Sequence, residues 1–137
     1  MISLKDPSLF TQQAYVGGEW VDAPDGKTAE VTNPATGEVL GTVPVLGRDE
    51  VAHAIDVAEK AQKLWKKRTA KERAGILMKW YDLMMENQDD LAALMTAEQG
   101  KPLTEAKGEI AYGSSFLQWF AEEAKRVYGD VIPTFAE

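Results

Sequence analysis

The apolar positions change period once along the chain. Over roughly the first forty residues they come in short runs broken by turn residues, and beyond Arg48 they recur about every 3.6 residues. Ala14-Tyr15-Val16 and Glu19-Trp20-Val21 flank Gly17-Gly18, a pair able to take positive φ without strain, which predicts a hairpin. Pro24-Asp25-Gly26 and Asn33-Pro34-Ala35-Thr36-Gly37 predict two further turns, with extended segments at Thr28 to Thr32 and Glu38 to Val43. Four helices are expected to follow. The first carries Val51, Ala54, Ile55, Ala58, Ala61 and Trp65 on one stripe. The second opens at Thr69, with Glu72 completing a capping box. Ala74, Leu77, Met78, Tyr81, Met84 and Met85 form one apolar face, and Ile76, Trp80 and Leu83 form an opposite one, so this helix is expected to lie between partners.

The third predicted helix runs from Gln88 to Gln99, with Leu91, Leu94 and Met95 inward, Gly100 as its stop and Pro102 starting the next. The fourth repeats Leu103, Ala106, Ile110, Gly113, Leu117, Phe120 and Ala124, and should end near Tyr128-Gly129-Asp130. Its small residues Gly108, Gly113, Ser114 and Ser115 suit close approach of another backbone. Val131-Ile132-Pro133 reads as extended. The expected class is mainly α with short N-terminal β-hairpins, an α+β arrangement, divided at 1–46, 47–128 and 129–137.

Composition narrows the chemistry. The 137 residues carry a formal charge of −7 and no basic run beyond Lys66-Lys67-Arg68, which reads as a helix end. Neither nucleic acid nor an anionic membrane is an expected partner. No leader and no apolar run of membrane-spanning length stands in the sequence, so a cytoplasmic protein is expected. The absence of cysteine excludes disulfides, thiolate metal sites and a thiol nucleophile in this chain. No phosphate-binding glycine motif is present, and Gly17-Gly18 precedes a strand rather than a helix. His53, the single histidine, reads as a surface or partly packed residue. Glu86, Asp89 and Asp90 read as helix-capping acids, and Ser114-Ser115 as packing residues without a base to activate them. Glu105, Glu109, Glu122 and Glu123 read as the solvated side of the fourth helix. Tyr112, Phe116 and Trp119 read as core, with a ligand wall as the alternative.

Four stretches carry a resemblance. Val31-Thr32-Asn33-Pro34-Ala35-Thr36-Gly37-Glu38, Thr69-Ala70-Lys71-Glu72-Arg73-Ala74, Thr96 to Ile110 around Glu98-Gln99-Gly100-Lys101-Pro102-Leu103, and Trp119 to Pro133 resemble, in order, the N-terminal part of aldehyde dehydrogenases. The last two are most similar to the NAD(P)-dependent succinate-semialdehyde dehydrogenases, with glutarate-semialdehyde relatives nearby. The resemblance implies the N-terminal part of an α/β aldehyde-dehydrogenase fold. It implies four helices of the cofactor-binding domain over 47–128 and the start of the bridging, oligomerisation segment over 129–137. The implied parent enzyme oxidises succinate semialdehyde to succinate with NAD or NADP. The family's catalytic cysteine, general-base glutamate, oxyanion asparagine and nucleotide-binding segments have no counterpart here, so the fragment is expected to be inactive alone and to bind no cofactor by itself.

The resemblance also implies a structural monovalent cation near Val31, Thr32 and Glu98, held mainly through backbone carbonyls, and a substrate-tunnel mouth at Glu109, Tyr112 and Phe116. The expected partners are the rest of the parent chain and, for the fragment, another copy of itself. A stand-alone helical oligomerisation or protein-interaction module is the competing expectation.

Overall fold

The computed structural model describes residues 2–135. The outer limits of the first and last expected segments, at Met1 and at Ala136 and Glu137, lie outside the described residues. An N-terminal arm with a single 3-10 turn at Pro7–Leu9 leads into β1 (Ala14–Val16), β2 (Glu19–Val21), β3 (Thr28–Thr32) and β4 (Val39–Pro44). Then come α1 (Arg48–Trp65), α2 (Ala70–Glu86), α3 (Gln88–Gln99) and α4 (Leu103–Glu123).

The strands form two separate antiparallel hairpins, β1–β2 and β3–β4. In the first, Gly17 and Gly18 have φ of 64° and 96°, the positive values that a two-residue hairpin turn with the strand's own twist requires. In the second, Val31 pairs with Gly41 and Thr32 with Val39, so Leu40 is the extra residue of a bulge.

The helical layer is held by α4, which packs against both α2 and α3. The capping box opens α2 as expected: Glu72 N–H donates to Thr69 Oγ1 at 3.3 Å and Thr69 N–H donates to Glu72 Oε2 at 2.8 Å. Gly100 ends α3 with a left-handed φ of 76°. Ala92, Ala106 and Ile110 form a buried cluster, with Met84, Leu91 and Met95 packed against it. Ala74, Ser114 and Ala121 are also buried. Small side chains on these faces let the helix backbones run close together, and close packing maximises dispersion contacts.

Several expectations differ from this arrangement. On α1 the anticipated stripe faces water: Val51 is 50% and Ile55 64% exposed, and only Ala54 and Trp65 of the stripe are half-buried. The first face of α2 is inward, but Ile76, Trp80 and Leu83 are exposed, so the helix is covered on one side only. The inward stripe of α4 is Ala106, Ile110, Ser114, Leu117 and Ala121, whereas Leu103, Gly113 and Phe120 face outward. Gly108 and Gly113 meet open space, so their smallness serves no close approach among the described residues. Finally, α4 ends at Glu123, earlier than expected. Its last turn tightens, Lys125 and Arg126 N–H bonding back to Glu122 and Glu123 carbonyls. The same basic side chains pair with the carboxylates of Glu122 and Glu123.

Candidate functional site

On the outer face of α4, Glu109, Tyr112 and Phe116 stand at i, i+3 and i+7, which places them on one side of the helix. The Tyr112 and Phe116 rings meet edge to face, centroids 5.0 Å apart at 80°. With Ser115, Trp119 and Phe120 they line an open groove of about 570 Å³. Tyr112 and Trp119 are 65% and 61% exposed, which overturns the expectation that these aromatics belong to the core. Glu109 lies outside the groove lining and is engaged by Lys101, whose Nζ donates to Oε1 at 2.6 Å.

The second candidate group is only partly assembled. Val31 of β3 and Glu98 of α3 line one narrow cleft of about 80 Å³, together with Phe10, Gln12, Thr42 and Leu94. Thr32 is not on that lining. The turn after β3 does reach the end of α3: a Cβ on Gly100 would stand 3.1 Å from Pro34 Cγ. Two of the stretches that carried the family resemblance therefore touch. Among the described residues no group of three or more His, Asp or Glu side chains could hold a metal ion, so any cation here would depend on carbonyl oxygens.

The remaining candidates divide between an exposed His53 and side chains with structural partners. His53 is exposed, in a groove between the β1–β2 hairpin and α1 with Val16, Asp22 and Glu50. Ser114 Oγ donates to the Ile110 carbonyl and Ser115 Oγ to the Tyr112 carbonyl, both at 2.7 Å, so each hydroxyl is spent on its own helix. Asp89 and Asp90 do stand in the first turn of α3, but neither caps its own helix. Asp90, 6% exposed, accepts from the backbone N–H of Lys5 at 3.0 Å and of Asp6 at 2.8 Å. Asp89 bridges Lys5 and Lys107, and these hydrogen bonds, Lys107 first, lower its pKa to about 2. Gln12 is a further polar contact that no pattern indicated: its Oε1 accepts from Thr42 N–H at 2.7 Å.

The first turns of all four helices are acidic. Asp49 and Glu50 open α1, Glu72 opens α2, Asp89 and Asp90 open α3, and Glu105 opens α4. Carboxylates in the first turn occupy the favourable field that would otherwise draw a phosphate.

Comparison with known proteins agrees with the fold. Residues 20–137 match the aldehyde dehydrogenase family. Over 132 residues the chain is 64% identical to glutarate-semialdehyde dehydrogenase of Pseudomonas putida, covering 96% of this chain and 28% of that protein. It is 61% identical over 132 residues to the NADP(+) succinate-semialdehyde dehydrogenase of Escherichia coli, covering 96% of this chain and 27% of that one. The crystal structure of succinate-semialdehyde dehydrogenase from Burkholderia pseudomallei superposes with a TM-score of 0.93 at 60% identity, over 98% of this chain and 28% of that chain. The chain belongs to the aldehyde dehydrogenase family, and its two hairpins and four helices correspond to the N-terminal part of that fold. It spans about 28% of the length of the relatives it matches.

Proposed function

We propose that this chain is the N-terminal part of a semialdehyde dehydrogenase that oxidises succinate semialdehyde to succinate in the cytoplasm, with glutarate semialdehyde as the alternative substrate and NAD or NADP as the hydride acceptor. The carrying observation is identity of 61–64% over 96% of the chain to enzymes named for those two semialdehydes. The name of the Escherichia coli relative specifies NADP(+). No described helix is long and apolar enough to cross a membrane.

In this reading the chain contributes scaffold. It holds no cysteine to form a thiohemiacetal and no glycine-rich phosphate-binding motif. Tyr112 and Phe116 form one wall of the substrate entrance, with Glu109 fixed at its edge by Lys101. Val31, Thr32 and Glu98 contribute to a structural monovalent cation site. Separated from the rest of the enzyme, the chain self-associates through the exposed faces of α1 and α2, where Ile55, Ile76, Trp80 and Leu83 meet water.

A chimera tests the reading. The corresponding segment of the Escherichia coli enzyme is replaced by this chain, and NADP-dependent turnover of both semialdehydes is measured. Turnover is expected, with KM raised by Tyr112→Ala and Phe116→Ala. A folded but inactive chimera, or one indifferent to both substitutions, contradicts it.

A further inference from the structure

The N-terminal arm, Ile2 to Gln12, belongs to neither hairpin and to none of the four helices. It is tied at two distant points. Near its start, both carboxylate oxygens of Asp90 take the N–H groups of Lys5 and Asp6, and Lys5 Nζ reaches Asp89 Oδ2 at 2.8 Å. At its far end, Gln12 Oε1 takes the N–H of Thr42 in β4. Between the ties, Asp6 caps the 3-10 turn by accepting from Ser8 N–H and Oγ, so the arm has internal structure to carry tension from one end to the other.

Apolar packing under the arm is uneven, close where the Phe10 ring lies against Gly41 of β4 and open further toward the start. Ile2, Leu4, Pro7, Phe10 and the bulged Leu40 line an open cleft of about 420 Å³ rather than a filled contact. The polar ties at Asp90 and Gln12 therefore act beside the packing of Phe10 in holding the arm down. What it holds is specific: the β3–β4 hairpin at Thr42 on one side and the first turn of α3 on the other. A free N–H on the outer edge of β4 is a place where another strand can pair.

We propose that the arm is a strap, closed by Asp90 and Gln12, that clamps the β3–β4 hairpin to the helical layer and shields the edge of β4. A strap makes its two ends interdependent. A loose tail with two accidental contacts does not.

Amide hydrogen exchange on the 137-residue chain reads this directly. In Asp90→Ala, the amides of Lys5 and Asp6 lose their acceptor and should exchange faster by about tenfold or more, the scale of losing a hydrogen bond to a charged group. The deciding amide is Thr42, which Asp90 does not touch and which should speed up as well, while amides in the middle of α2 and α4 keep their rates. Gln12→Ala, a change at an exposed side chain, provides the reverse test: Lys5 and Asp6 should lose protection although their own acceptor is intact. Faster exchange confined to the altered end in either variant overturns the proposal. If Asp90→Ala unfolds the whole chain, the Gln12→Ala result decides alone.

Discussion

Asp90 and Lys5 are 85 positions apart, yet the carboxylate of the first takes the backbone N–H of the second at 3.0 Å. Asp89 extends the same contact by pairing with the Lys5 and Lys107 ammonium groups. Its pKa falls from 3.8 to about 2 because the ionised form receives those hydrogen bonds. A lowered folded-state value means that the stabilisation is complete above pH 3.8 and disappears as the pH falls toward 2. Asp89→Asn should therefore lower stability near neutral pH and flatten the loss of stability between pH 4 and 2, in urea unfolding followed by circular dichroism. The Asp89 carboxylate and the Lys5 ammonium are half-exposed or more and Lys107 is 41% exposed, so added salt should shrink the difference.

Gly100 should tolerate no side chain. A Cβ there meets a left-handed φ of 76° and Pro34 Cγ at 3.1 Å. Gly100→Ala is expected to cost about 1–2 kcal/mol from backbone strain, with a further loss from displacing the Asn33–Gly37 turn. Equal stability of Gly100→Ala and the parent chain in urea unfolding would show that this contact carries no load.

Ser114 and Ile110 report on the face of α4 that packs against α2 and α3. Ser114→Ala removes only a hydroxyl bonded to its own helix and should change stability by less than about 1 kcal/mol. Ser114→Leu forces a large group into a fully buried position and should cost about 1–3 kcal/mol. Ile110→Ala opens the cluster around Ala92 and Ala106, at about 2–5 kcal/mol. A Ser114→Leu protein as stable as Ser114→Ala would place that side chain on the surface.

Thr69→Ala removes one half of the box that opens α2 and should cost about 1 kcal/mol. Thermal unfolding of that variant, compared with Thr69→Ser, separates loss of the hydroxyl from loss of the methyl group.

What the sequence made legible was local. Gly17-Gly18, the Thr69–Glu72 pair and Gly100 each predict their own backbone, because the interactions that fix them close within a few residues. The inward face of α4 differs from the large-residue stripe because Ser114 is polar and Ala121 offers little apolar area, although their small volume is what the packed face needs. Val51 and Ile55 on α1 are inward by period alone, and period cannot tell which described element is there to receive them. Asp90 to Lys5 and Gln12 to Thr42 left no trace in any pattern, since each joins a polar side chain to a distant backbone group. At the candidate site, Tyr112 and Phe116 share one face of α4 and Val31 and Glu98 one cleft without Thr32, whereas the apolar character that marks Tyr112, Phe116 and Trp119 as core does not reveal that they stand open to solvent.

The central claim is that this chain supplies structure to a reaction whose reacting groups it does not contain. The direct measurement is NADH or NADPH formation by the purified 137-residue chain, free of any longer aldehyde dehydrogenase, with succinate and glutarate semialdehyde. No rate above the protein-free background is expected with either substrate or either cofactor. Turnover that scales with the concentration of this chain would contradict it.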